Sequence, residues 1–376
     1  MRTLKVSQDN LHARIIEQVR SGRATSRGVL AKKLSVAPST MGLYVDQLIA
    51  TGWLRESGLV RGKTGRPKMN LEIVAEGTGW FAGVEFTGSR IQVIAVDFAG
   101  HQRQALTRVL PVPSDAETVV RQVELAIQDM AGRMADKLLG IGVGAPGLVN
   151  PDTGIAIYSM TFPDWKDVPL RDRLARAFGV PCTIHNNLRA IAWAERWFGG
   201  GRDADDYVVL GPRSGFAMAV MKNGRLIVGA HLAAGEIGFW PLGIGGTEAP
   251  IHHQLSSPAI WRTFAGVKKD APVPSNLHEA LAGFSDLMGE AWDEVTTLFA
   301  KVIGMTQCLI DAKLYFLHGP LIALGERFCR EIVQKAVGLM PALKDMPFEI
   351  QPSTLGDDAG ALGAASLAME AWDPGL

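Results

Sequence analysis

Leu139-Gly-Ile-Gly-Val-Gly144-Ala-Pro-Gly147-Leu-Val149 and, further on, Val180-Pro-Cys-Thr-Ile184-His185-Asn186-Asn187-Leu-Arg-Ala-Ile-Ala-Trp-Ala-Glu195 decide how this chain folds. The first is an apolar run broken by glycines. It reads as a strand buried on both faces that ends in a tight turn, where the backbone must approach something closely. An amphipathic helix around Leu170 to Phe178 separates it from a second apolar strand, Val180 to Ile184. That strand delivers His185, Asn186 and Asn187 to its C-terminal end, and a helix from about Leu188 to Phe198 follows. In an open α/β sheet the C-terminal ends of strands are where ligands bind.

Working outward, 376 residues at 47% hydrophobic suffice for two or three domains with full cores. No apolar run approaches the roughly 18 residues that cross a bilayer, and Met1-Arg-Thr-Leu-Lys does not begin a signal peptide. The scattered cysteines 182, 308 and 329 form no C-x-x-C pair, which points to a reducing cytoplasm. Net charge is zero but unevenly spread: residues 1–70 carry 13 Lys+Arg against 4 Asp+Glu, and the remainder is correspondingly acidic. A small basic module on a larger acidic body suggests a polyanionic partner for the module alone.

Within residues 1–72, Leu11, Ile15, Ile16 and Val19 share one helical face that ends at Ser21-Gly22. A second helix starts near Ser26 and buries Leu30, Ala31 and Leu34. After the turn Ser35-Val36-Ala37, Pro38 starts a third that runs to about Thr51 and buries Met41, Val45, Leu48 and Ile49. This spacing reads as helix-turn-helix. Pro38, Ser39, Thr40, Gly42, Leu43 and Tyr44 lie at its outer, N-terminal side, within reach of base edges, phosphates and thymine methyls. Trp53 to Glu56 and Met69 to Val74 read as two strands around a basic loop carrying Arg61, Lys63, Arg66 and Lys68, a wing. The alternative is a three-helix protein-interaction module with a solvated basic loop.

Beyond Trp80, a strand-turn-strand pattern occurs twice, first at Trp80 to Gly100 and about 125 residues later from Tyr207. Leu277 to Asp311 reads as a long apolar helical region, and Leu314 to Leu321 as a buried strand and turn.

These residues resemble the ROK family of repressors, open reading frames and sugar kinases. The resemblance rests on Gly144-Ala-Pro-Gly147, on Asn186-Asn187 with Arg189 and Glu195, and on Ala234-Gly235-Glu236-Ile237-Gly238. In the module it rests on Arg27-Gly-Val-Leu30-Ala31, Ala37-Pro-Ser39-Thr40, Gly52-Trp-Leu54 and Gly65-Arg66-Pro67. It implies an N-terminal α+β winged helix-turn-helix (1–72) followed by a two-lobed α/β actin/hexokinase-like, ribonuclease H-like body. The lobes would be 73–190, joined by the C-terminal helix 366–376, and 191–365. It also adds Arg27 to the DNA-binding residues.

For the body, the resemblance implies a general base at position 187, but Asn187 is an amide and cannot serve as one. It implies phosphate loops at Glu85-Phe-Thr87-Gly88 and at Arg213-Ser214-Gly215-Phe-Ala217. Both depart from the family's glycine-rich pattern, and a structural zinc site has lost its cysteines and carries Phe239 in place of a histidine. The adjacent His252 and His253 then read as a surface pair. A sugar or sugar derivative would be held by Asn186, Asn187, Glu236 and His253, whose amides and carboxylate suit several hydroxyls. Alternatively, Glu236 caps a helix in a dead pocket.

The expectation is therefore a cytoplasmic transcriptional regulator, a repressor of carbohydrate-related genes. It binds a double-stranded DNA operator as a homodimer or homotetramer and uses a catalytically dead sugar-kinase body as its sensor. Neither cofactor, metal nor membrane is expected. The alternatives are an active ROK sugar kinase with an added DNA-binding domain, and a body kept only as a dimeriser.

Overall fold

The computed structural model describes residues 11–60, 68–242 and 249–373, with the backbone alone at 59, 60 and 68. Three helices open it: α1 (Leu11–Arg20), α2 (Arg27–Leu34) and α3 (Pro38–Ala50). α2 stops where Ser35 turns left-handed at φ 56°. Pro38 occupies the first turn of α3, where a missing N–H breaks no helical bond. Ala37 stands at the N-cap and supplies no side-chain bond to it. Ile15, Ile16, Leu30, Met41, Val45 and Leu48 form the small core, whereas Ile49, expected inside, is half-buried. β1 (Leu54–Val60) and β2 (Lys68–Ile73) pair antiparallel, Leu54 opposite Ile73 and Val60 opposite Lys68.

The chain continues through β3 (Trp80–Phe86), β4 (Arg90–Asp97), β5 (Gln102–Val109), α4 (Ala116–Ala131) and β6 (Leu138–Ala145). A small sheet of β7 (Leu148–Asn150), β8 (Ile155–Tyr158) and β9 (Lys166–Val168) precedes α5 (Leu170–Phe178), β10 (Cys182–Asn186) and α6 (Asn187–Phe198). The main sheet runs β10-β6-β3-β4-β5. β6 is parallel to both β3 and β10, and the hairpins β3-β4 and β4-β5 are antiparallel.

A second sheet, ordered β13-β12-β11-β16-β17, takes β11 (Tyr207–Pro212), β12 (Phe216–Lys222), β13 (Arg225–Leu226), β16 (Leu314–Leu317) and β17 (Glu349–Pro352). Between β13 and β16 lie the pair β14 (Pro241–Leu242) and β15 (Ala249–Pro250), then α7 (Ile251–Leu255), α8 (Ser257–Ala265), α9 (Leu277–Ala282) and α10 (Glu290–Ile310). α11 (Gly325–Leu339) joins β16 to β17, and α12 (Ala359–Ala371) closes the chain. The helical region expected from Leu277 to Asp311 is broken: α9 ends at Gly283, and Gly289, at φ 103°, stands before α10.

The chain divides into two compact units, Phe198–Asp357 and the remainder. All but the last residue of α6, and the whole of α12, therefore belong with the first sheet, against an expected second lobe from 191 and a returning helix from 366. The cause is backbone contact. A Cβ at Gly83 or Gly142 would overlap the carbonyl oxygens of Ala361 and Ala364, and one at Gly363 would overlap that of Ala190. Small residues let α12 lie directly on β3, β6 and α6. In the other unit, Trp292 and Phe299 each pack on Phe328 at 5.5 and 5.4 Å between α10 and α11.

Candidate nucleic-acid interface and ligand site

In the N-terminal module, Pro38, Ser39, Thr40 and Leu43 are exposed on α3; Leu43 keeps 58% of its surface in solvent. Tyr44 is half-buried and lies against His12, ring centroids 4.5 Å apart. Arg27 turns inward: it pairs with Asp46 at 2.7 Å and Glu56 at 3.0 Å, and donates to Gly42 O at 3.2 Å. Two carboxylates within reach make it a staple between α2, α3 and β1. Arg61, Lys63 and Arg66 lie outside the described residues, as does the side chain of Lys68. Two residues that sequence reasoning passed over belong on this face: the buried His12 and the exposed Gln47, joined at 2.8 Å.

The module is fastened to the β3–β6 sheet. Arg20 Nε donates to Phe98 O at 2.8 Å and Nη1 to Met369 O at 3.1 Å, while the guanidinium stacks 4.5 Å over Phe98. Burial lowers its pKa to about 9 against the opposing pull of Glu17, Glu370 and Asp97. Trp53 packs on Phe98 and Trp372 at 4.9 and 4.7 Å.

At the C-terminal end of that sheet, Asn186 is buried and ties two segments together. Its Nδ2 donates to Gly147 O at 2.9 Å, and its Oδ1 accepts from the Leu188 and Arg189 amides. It therefore caps α6. Asn187, half-buried, opens α6 with Oδ1 2.8 Å from the Leu188 amide. Gly144 permits this approach, since a Cβ there would come within 3.3 Å of Asn187 Cα. Beside them His185 is buried and pushed down to about 3, first by desolvation and then by Arg189, so it is neutral. Glu85, buried at the end of β3, has its carboxylate where a Cβ on Gly360 would fall. A carboxylate in the first turn of α12 is favoured by the helix dipole.

The other unit carries Glu236 and His253. Gly235, at φ +90°, lies against Met218 of β12, whose amide donates to Gly235 O at 2.9 Å. Glu236 is half-buried, and its side chain gives no cap bond to the 3-10 turn Ile237–Phe239. His253 is exposed on α7, whereas His252 is half-buried and engaged from inside the protein. Its Nδ1 accepts from the Phe216 amide at 2.9 Å, and Phe239 meets the ring edge-on at 4.8 Å. Its ring stands where Cβ atoms on Gly215 and Gly238 would fall. Burial, then His253, lowers its pKa. The loop after β11 is held as well. Ser257 donates its amide to Arg213 O at 3.0 Å and its hydroxyl to Pro212 O. The Arg213 side chain comes within 3.0 Å of a Cβ built on Gly319. Among the described residues no three His, Cys, Asp or Glu side chains are placed to hold an ion, and no helix is long and apolar enough to cross a membrane.

Comparison with known proteins separates body from module. The chain is 28% identical to the glucokinase of Thermotoga maritima over 77% of its own length and 96% of that protein. It is 21% identical to the xylose repressor of Bacillus subtilis over 95% of its own length and 94% of that protein. A solved ROK family transcriptional regulator, a homolog of the E. coli MLC protein, superposes with TM-score 0.78 at 20% identity, covering 96% of this chain and 95% of that one. The ROK family's sequence signature matches residues 81–371, so this chain belongs to the ROK family.

Proposed function

We propose that the chain is a cytoplasmic transcriptional repressor of carbohydrate-related genes. Its N-terminal helices and hairpin act as a winged helix-turn-helix on an operator. Its kinase-like body senses a sugar or sugar derivative without phosphorylating it. The single observation that carries the reading is Asn187: the residue opening α6, where a kinase of this family needs a proton acceptor, is a carboxamide. Glu85 and Arg213 support it, because each departs from the pattern that the family's two phosphate loops would carry, Glu85 with its carboxylate at the start of α12 and Arg213 with its side chain beside Gly319. The regulators match nearly the whole chain, module included, whereas the glucokinase matches 77% of it. That same glucokinase likeness favours the second reading, an active sugar kinase carrying a DNA-binding domain.

One helix-turn-helix reads a short half-site, so a homodimer or homotetramer on an inverted repeat is part of the proposal. Ser39, Thr40, Leu43 and Tyr44 would meet bases or phosphates, with Pro38 beside them. Arg61, Lys63, Arg66 and Lys68 would form the wing, and Asn186, Asn187, Glu236 and His253 would serve the ligand. The test pairs two measurements on the full chain: binding to its own promoter DNA with and without a panel of sugars, and sugar-dependent ADP release from ATP. Sugar-sensitive DNA binding without ADP release is the expected result. Sugar-dependent ADP release would establish the kinase reading instead.

A further inference from the structure

Leu43, in the second turn of α3, keeps 58% of its surface in solvent. A lone exposed leucine is ordinary on a protein surface; the place of this one is not. Met41, Val45 and Leu48 turn the opposite face of α3 into the module's core. Ser39 and Gln47, one turn before and one turn after Leu43, are exposed and polar, so Leu43 is the apolar centre of an outward stripe. On its flank Gly42 carries no side chain, and a Cβ there would meet nothing within 4 Å. The carboxylate of Asp46, the acid nearest in sequence, is paired with Arg27 at 2.7 Å. With 13 Lys+Arg against 4 Asp+Glu in residues 1–70, the module that carries this stripe suits a duplex.

A leucine side chain neither donates nor accepts a hydrogen bond, so it reads sequence only by apolar contact. Base pairs present donors and acceptors to the major groove, and thymine adds the one methyl group. We propose that Leu43 reads the 5-methyl group of one thymine in the operator half-site and thereby sets that position. The proposal rests on the reading of α3 as a recognition helix.

The experiment selects a preferred site from randomised duplexes with the full-length protein. The thymines of that site are then replaced one at a time by deoxyuridine, which lacks the 5-methyl group and keeps the base pair. Wild type is expected to lose about fourfold in affinity at one thymine, and at its counterpart where the site repeats, for one methyl group left in water. Leu43→Ala and Leu43→Gln are expected to bind thymine and deoxyuridine equally at that position, with wild-type behaviour at the others. Both replace an exposed side chain, and either one, folded, decides. A methyl effect that persists at every position in a folded variant overturns the inference and leaves DNA binding by α3 intact. So does a wild-type protein for which no thymine methyl matters. Variants that bind every duplex as wild type does but form a smaller assembly would move Leu43 to a contact between copies of the chain, and also overturn it. A wild-type protein that selects no duplex overturns it together with the helix-turn-helix reading on which it rests.

Discussion

Asn187 differs from an aspartate in one respect that matters to catalysis: its carboxamide cannot accept a proton at neutral pH. Restoring the carboxylate does not restore the rest. Glu85 stays against Gly360 and Arg213 against Gly319. Wild type and Asn187→Asp are therefore both expected to release ADP at background with glucose, xylose or amino sugars. Sugar-dependent turnover by the wild type would overturn the loss of catalysis, and turnover by Asn187→Asp alone would leave Asn187 as its sole cause and remove Glu85 and Arg213 from the account. His185, two residues earlier, sets a pH dependence. Its folded pKa of about 3 lies below the ordinary 6.5, so only the unfolded chain takes up the proton as pH falls through 6.5. The folded state loses stability in that direction, by about 2 kcal/mol at pH 5. Above pH 6.5 the group contributes no slope. Urea midpoints at pH 7.5 and 5 measure this loss, and His185→Leu should shrink the difference between them. An unchanged difference would mean that His185 charges in the folded protein.

α12 shows how far an element can depend on what is absent from a side chain. Its backbone lies on β3 and β6 because Gly83 and Gly142 have no Cβ, and a methyl at 142 would meet the Ala364 carbonyl. Gly142→Ala is expected to cost about 3 kcal/mol or prevent folding. Gly338→Ala, exposed in α11 with open space around it, should be neutral or stabilising by up to about 1 kcal/mol. Denaturant titration of both variants checks the contrast, and equal effects would remove the close-approach account of α12. The strands and α6 were legible in the sequence because burial on both faces leaves unbroken apolar runs such as Leu139 to Val149. The break between α9 and α10 was not: helical spacing of apolar residues persists across it, and two glycines alone mark it. Asn186 and Asn187 could be placed at a strand end from pattern, but the Gly147 carbonyl that holds Asn186 becomes its neighbour only in the folded sheet. His252 read as half of a surface pair for the same reason. Arg20 and Arg27 added to a basic count, yet one is enclosed beneath Phe98 and the other is tied to Asp46 and Glu56.

At the scale of the whole molecule, the enclosed Arg20 matters most, because it fastens the N-terminal module to α12, which packs along α6. α6 begins at Asn187, and near its other end Trp197 Nε1 donates to Glu370 Oε1 at 2.6 Å. Met369, adjacent in α12, gives its carbonyl to Arg20, and Trp372 packs on Trp53. Along α6 the Gly363 backbone meets the Ala190 carbonyl. A shift of α6 on ligand binding would thus reach α1 through α12 and the Arg20 side chain. Coupling between two sites is a free energy, commonly 1–3 kcal/mol, and it disappears when the shared element no longer distinguishes the two states. Arg20→Lys retains a positive charge but loses the planar fork that holds two carbonyls at once. The expected outcome is sugar affinity within about twofold of wild type, DNA still bound, and the sugar's effect on DNA affinity reduced by about tenfold. Calorimetric titration of the sugar, together with DNA binding at zero and saturating sugar, gives all three quantities. A folded Arg20→Lys protein with the full sugar response would show that the signal bypasses this junction. Loss of DNA binding without sugar would show that Arg20 holds the module in shape and carries no signal.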